Sequence, residues 1–187
     1  MIHGKRITLK PFSGEMLRTY YRWRQDDEVM YWATGEPYMS SLIPEQVFIE
    51  RYETYLKGDV RESGMFGVFA EVDKFIGEVS YRDMDVVKGT CVLGIMIGDK
   101  AYWGKGYGTE AVRAMCSFLF QRFQLRRIQL DTWVGNERAI RSYKKVGFQI
   151  EGVLRKSTLV KGVPTDEVVM GLLQSEFEHI VSADSEG

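Results

Sequence analysis

Only two histidines occur in this chain, His3 and His179, and they sit near opposite ends. A histidine-rich metal site or a Ser-His-Asp triad therefore has almost no material, so most hydrolase chemistry falls away and no metal is expected. Cysteine is equally scarce: Cys91 and Cys116 lie in apolar stretches without paired spacing, as buried thiols of a reducing compartment do and a disulfide framework does not. No apolar run approaches the roughly 18 residues of a membrane span, and the start, from Met1 to Arg6, lacks a signal-peptide apolar segment. The expectation is a cytoplasmic protein with no membrane partner. Charge of one sign is missing too. Lys plus Arg number 25 against 26 Asp plus Glu, a net charge of -1, so no surface is built mainly for nucleic-acid phosphates.

What remains is an average soluble composition, 44% hydrophobic and 27% charged over 187 residues. That length suits one domain of the usual size of roughly 100 to 200 residues. A core over about residues 5–175 and a short polar C-terminal tail after His179 are expected, with no repeat or linker.

Ile7 and Leu9 alternate with polar residues as on a half-buried strand, and Ser13-Gly14-Glu15 reads as a helix start. A second helix is expected from Pro44 to a stop at Gly58. Between them the aromatic run from Tyr31 to Tyr38 reads as a loop. Phe66–Ala70 and Phe75–Tyr81 flank the turn candidate Val72-Asp73-Lys74 and suggest a hairpin, followed by a strand over Thr90–Ile97. Next come a glycine loop and an amphipathic helix carrying Val112, Met115, Cys116, Leu119 and Phe123. Arg127–Val134 reads as a strand and Asn136 opens a helix that ends at Gly147. Two extended runs, separated by Lys161-Gly162-Val163-Pro164, complete the chain. The fold class is α+β: a mostly antiparallel sheet with a strand-helix-strand unit near its centre.

The loop Gly104-Lys105-Gly106-Tyr107-Gly108 stands between strand and helix. Glycine lets the backbone turn tightly and approach a ligand, and the following helix adds unpaired N–H donors and the positive end of its dipole. Such a loop is either a tight structural turn or a cradle for a phosphate or pyrophosphate. Neither nucleotide pattern fits: Lys105 is followed by Gly106 where a P-loop needs Ser or Thr, and the third glycine falls one place early for a dinucleotide fingerprint.

The run Ala101-Tyr102-Trp103-Gly104-Lys105-Gly106-Tyr107-Gly108-Thr109-Glu110-Ala111 resembles motif A of the GNAT family of N-acetyltransferases. It has the form of the branch that includes ribosomal-protein N-terminal and spermidine acetyltransferases, with Trp103 where the general pattern has Gln or Arg. Asn136-x-x-Ala139-x-x-x-Tyr143-x-x-x-Gly147-Phe148 resembles motif B. The resemblance spans roughly residues 5 to 175. It implies a GNAT fold in which the strands before the glycine loop and before Asn136 splay apart. Acetyl-CoA is then the acyl donor, with residues 103–109, namely Trp103, Gly104, Lys105, Gly106, Tyr107, Gly108 and Thr109, around its phosphates. Backbone groups of Ile95, Met96 and Ile97 would pair with the pantetheine arm.

The implied reaction moves an acetyl group onto a primary amine of a small molecule or peptide by direct attack. Tyr143 takes the position of the family's thiol-facing tyrosine and would supply a proton to the sulfur. For the base, Asp131 and Glu78 are the candidates, with solvent as a third acceptor. Asn136 is expected both to cap its helix and to bond the pantetheine arm, and Thr109 both to cap and to touch phosphate. Tyr31, Trp32 and Tyr38 would wall the acceptor pocket, with Glu28 or Glu36 attracting a cation. A second reading is a non-catalytic acetyl-CoA-binding protein. The last strand, around Val168 to Leu173, is a candidate for pairing across a homodimer.

Overall fold

The computed structural model describes residues 1–36, 43–71 and 73–185, so the expectations for Tyr38 and Val72 lie outside it. From the N-terminus run β1 (Ile2–His3), β2 (Ile7–Pro11), α1 (Gly14–Arg24), α2 (Asp27–Thr34), α3 (Glu45–Tyr55), β3 (Gly64–Ala70), β4 (Lys74–Asp85) and β5 (Thr90–Ile97). A 3-10 turn (Lys100–Tyr102) precedes α4 (Tyr107–Phe123), β6 (Arg127–Trp133), α5 (Glu137–Val146), β7 (Gln149–Val160), β8 (Val163–Leu173) and α6 (Gln174–Ser185). One sheet takes all eight strands in the order β1-β2-β3-β4-β5-β6-β8-β7. Every neighbouring pair is antiparallel except β5 with β6, which α4 connects.

Strand periodicity of two sorts the core onto the two faces. On β5, Cys91 and Leu93 enter a cluster with Met115, Cys116 and Leu119 of α4 and Tyr143 and Val146 of α5. Met96 points the other way, into a cluster with Leu17 and Tyr20 of α1, Met30 of α2 and Phe48 of α3. The helices thus form two layers around one sheet.

Three sequence expectations are corrected. The run from Tyr31 to Thr34 is helical, because Asp26 accepts hydrogen bonds from the Glu28 and Val29 N–H groups at 3.0 and 3.1 Å and starts α2, while Gly35, at φ +80°, ends it. The tail expected after His179 is instead the end of a helix, α6, that begins at Gln174. Phe177 is buried against Phe120, and Ile180 reaches Gly147. Finally, β8 pairs with β6 on one side and β7 on the other, so its ladder is filled and β7 is the edge.

Phe177→Ala tests the place of α6 in the core. A loss of about 3 kcal/mol in unfolding free energy is expected from denaturant titration, as for other buried aromatic truncations. A change below about 0.5 kcal/mol would return α6 to the status of a tail.

Candidate active site

Gly104 and Gly106 adopt φ of +71° and +86°, the left-handed region where a side chain is strained. Gly106 takes the N-cap position of α4, and the first bonded N–H of that helix is Glu110's, to the Gly106 carbonyl at 3.0 Å. Among the described residues, the N–H groups from Gly104 to Thr109 have no protein acceptor. Arg6 keeps the loop in this pose from the far side. Its Nη1 donates to the Lys105 carbonyl at 3.0 Å, its Nε and backbone N–H donate to the Glu110 carboxylate at 3.1 and 2.6 Å, and its guanidinium lies 4.6 Å from the Tyr107 ring centre. With carbonyl and carboxylate engaged outside, donors are left for an anion inside. Thr109 is not the cap. Its hydroxyl lies 2.7 Å from that of Ser142 and ties the start of α4 to α5.

The loop opens onto a gap in the sheet. β5 and β6 pair only at Thr90–Arg127, Cys91–Ile128 and Val92–Gln129. Beyond that register each strand follows its outer neighbour, β5 staying on β4 and β6 on β8. A cavity of about 570 Å³ fills the wedge, within the size range of small-molecule sites. Ile95, Met96, Ile97, Trp103, Gly104, Gly106, Tyr107, Gly108, Thr109, Asp131, Asn136 and Tyr143 all line it, as does Trp32. Lys105 and Tyr31 do not. The Ile97 carbonyl is already taken by the Trp103 indole N–H at 2.6 Å, and the Met96 backbone faces β4 opposite Glu78, which corrects the expectation for both and leaves Ile95 as the freer backbone partner.

Asn136 is buried and caps α5 through Oδ1, which accepts from the Ala139 N–H at 3.3 Å. Its Nδ2 donates to the Trp32 carbonyl and the Thr132 hydroxyl, each at 3.0 Å, so both amide donors hold the protein together. Tyr143 is buried on α5, and its pKa is pushed well up, first by burial and then by the negative charge of Asp131. It is a neutral phenol near pH 7. Asp131 faces Arg82 at 3.6 Å, an ion pair whose guanidinium it shares with Asp83 at 2.5 Å. Tyr31 packs with Trp32 and Trp133 at centroid distances of 4.9 and 5.2 Å, under Lys161 at 4.6 Å.

Glu78 lies elsewhere. It sits on β4 opposite Met96 but lines a second cavity, of about 290 Å³, with Tyr20, Arg51, Tyr52, Tyr55, Met65 and Ser80. It is 7% exposed and its Oε2 has no hydrogen-bond partner. Burial raises its pKa from 4.5 to about 7, against the opposing pull of the Ser80 hydroxyl and the Arg24 charge. Partners opposite one another on an antiparallel pair stand about 5 Å apart and share a face. The two cavities therefore meet across the Glu78–Met96 and Ser80–Gly94 pairs.

Several lining residues were not singled out from the sequence. Arg138, Arg141 and Lys145 share one face of α5 and border the main cavity; their spacing of three and four was the available signal. Arg138 lies 4.4 and 5.0 Å from the ring centres of Trp103 and Trp32. Arg6 gave no local signal, since its partners Lys105, Tyr107 and Glu110 are remote in sequence, and Arg51 gave none because the other residues of its cavity come largely from other elements of the chain. Among the described residues there is no cluster of three or more His, Cys, Asp or Glu that could hold a metal, and no helix long and apolar enough to cross a membrane.

An anion cradle at a helix start, opening onto a splayed parallel pair, defines a class that comparison with known proteins makes explicit. Residues 6–149 match the profile of the acetyltransferase (GNAT) domain, and the chain belongs to that family. The probable N-acetyltransferase YjcK of Bacillus subtilis (strain 168) is 35% identical over 134 residues, 70% of this chain and 71% of that one. The spermine/spermidine N(1)-acetyltransferase of the same organism is 32% identical over 100 residues, 54% of this chain and 59% of that protein. Spermidine N-acetyltransferase from Vibrio cholerae, solved with CoA and spermine, shares the fold with a TM-score of 0.82 at 24% identity, over 92% of this chain and 98% of that one. The protein is an acetyl-CoA-dependent N-acetyltransferase acting on amines. Transfer, rather than cofactor sensing alone, is what these relatives favour.

Gly106→Val places a branched side chain in a left-handed conformation within the cradle. Calorimetry is expected to show CoA binding at least about tenfold weaker than wild type, since about 1.4 kcal/mol of strain or lost contact suffices for that factor. Unchanged affinity would remove the loop from the cofactor site.

Proposed function

We propose that transfer proceeds by direct attack of the amine, with Glu78 taking the amine's proton and Tyr143 giving one to the departing sulfur. The observation that carries this reading is the buried, unpartnered Glu78 Oε2 at the floor of the second cavity, opposite a residue that lines the first. Acetyl-CoA, when bound, supplies the acyl carbon to be attacked and the sulfur that leaves.

The unpaired N–H groups of residues 104–109 and the positive end of the α4 dipole suit its pyrophosphate. Arg138, Arg141 and Lys145 add positive charge along the same cavity. Ile95 presents its backbone groups at the open edge of β5, where a pantetheine amide can add as a strand does. Asn136 has only an acceptor lone pair to offer, its donors being spent on Trp32 and Thr132.

Between the two candidate bases, Glu78 is favoured because the Asp131 charge is held by Arg82 whereas Glu78 titrates near neutrality. The phenol of Tyr143, neutral and among the residues lining the first cavity, suits the acid role. The acceptor is placed in the second cavity, between α1, α3 and the sheet. Trp32 keeps a place in the wall of the first cavity, and Tyr31 serves as packing behind it.

Glu78 must be ionised to accept a proton, so kcat/KM is expected to rise with pH through about 7. Glu78→Gln should abolish that limb and lower kcat about 100-fold at pH 8. Stability should move the opposite way. A carboxyl whose folded pKa is raised contributes stability that is complete below its ordinary value and lost as pH rises through about 7. The glutamine variant should therefore be more stable at pH 8, by up to about 3 kcal/mol, and no more stable at pH 4. A loss of activity without the pH-dependent gain in melting temperature would argue against an ionised buried base.

Tyr143→Phe is expected to reduce kcat about 100-fold while the KM for acetyl-CoA stays within about twofold, as for loss of a positioned general acid. Full retention of kcat would leave the residue as packing only.

A further inference from the structure

The second cavity carries a charge arrangement that amine acetylation alone does not require. Its floor is Glu78, with an unpartnered buried oxygen. Its outer edge includes Arg51 on α3, exposed and, among the described residues, without an ion-pair partner. Nearby arginines are engaged: Arg18 approaches Glu45 at 4.0 Å, and Arg61 bonds Asp59 at 2.8 Å. The walls between floor and edge are the rings of Tyr20, Tyr52 and Tyr55 and the side chain of Met65. Tyr55 and Arg51 stand one helical turn apart on α3 and so face the same way. Behind Tyr20 lies a second guanidinium, Arg24, which donates to the Tyr20 hydroxyl at 3.3 Å.

Among the described residues, the cavity lining thus holds one carboxylate, Glu78, and one guanidinium, Arg51. Between α2 and α3, Glu36 is engaged elsewhere and accepts the Gly162 N–H at 2.8 Å. A polyamine presents several cations and needs several acids; a second ammonium near Arg51 meets a like charge that disfavours it. An arginine with its fork free is instead suited to a planar or tetrahedral oxyanion, held by paired charge-assisted hydrogen bonds.

We infer that the acceptor is a compact amine that also carries an oxyanion, its ammonium on Glu78 and its carboxylate or phosphate on Arg51. This rests on the placement of the acceptor in the second cavity. The volume of about 290 Å³, equal to about ten waters at ~30 Å³ each, suits a molecule of amino-acid size. Arg51 is then a specificity-determining residue that acts on binding and takes no part in proton transfer.

The test uses the full chain saturated with CoA and a panel of defined probes: α- and ω-amino acids, aminoalkyl phosphates, the amide or alcohol counterpart of each, and spermidine. Calorimetry reads binding, and thiol release from acetyl-CoA reads turnover. The best oxyanion-bearing amine is expected to bind at least tenfold more tightly than its uncharged counterpart and than spermidine, and the better of the carboxylate and phosphate arms identifies the anion. Arg51→Ala should erase that ratio by raising KM, with kcat changed less than threefold, and Arg51→Lys should restore part of it. Arg51→Glu should shift preference toward spermidine. The inference is overturned if spermidine or the uncharged amines bind best, or if Arg51→Ala leaves the ratio intact. Arg51-dependent binding without any thiol release would support this inference and sink the proposed acetyl transfer from this cavity.

Discussion

The brief pairing of β5 with β6 is the constraint on which the rest of the molecule depends. Three registered residue pairs join two strands that run parallel, and past Val92 and Gln129 they separate. Unpaired strand edges are ordinarily costly when buried, so a wedge of this kind persists only because each strand is held from outside. Long ladders to β4 and β8 do that, with the Trp103 indole capturing the Ile97 carbonyl at the point of greatest separation. The cofactor cavity is the space this leaves.

Around the wedge, unsatisfied polar groups are concentrated where a ligand can satisfy them. On one side are the N–H groups of the glycine loop, kept facing inward because Arg6 holds the Lys105 carbonyl outward. On the α1–α3 face is the Glu78 carboxylate, buried with one oxygen free. Neighbouring polar side chains are bound into the frame, Asn136 to Trp32 and Thr132, Asp131 to Arg82 and Thr109 to Ser142.

Much of the frame was legible in the sequence because it is written in local pattern. The strand Thr90–Ile97, the hairpin before it, the helix behind the glycine loop and the helix between Asn136 and Gly147 all follow from alternation, helical spacing and capping residues. The same reasoning misjudged Tyr31–Thr34, where aromatic content obscured a helix begun by Asp26 and ended by Gly35. It also read the residues after His179 as a tail, because they are the last turns of a helix held to the core through Phe177 and Phe120, a contact between segments far apart in the chain. That β8 lies inside the sheet and β7 at its edge was not legible for a related reason: strand order is set by long-range pairing and leaves no trace in a strand's own residues.

By itself the sequence determined the tight glycine turn at the start of α4, since positive φ at Gly104 and Gly106 and a following helix are properties of a short contiguous segment. With the family resemblance it also determined the cofactor and the class of reaction. Tertiary structure alone decided which carboxylate is free. Asp131 and Glu78 look alike in sequence, yet one meets Arg82 and the other is buried without a partner for Oε2. It likewise decided that Arg51 and Glu78 line one cavity together with Tyr20, Tyr52 and Tyr55. Electrostatic roles depend on distances and burial, and these arise only when segments remote in the chain are packed together.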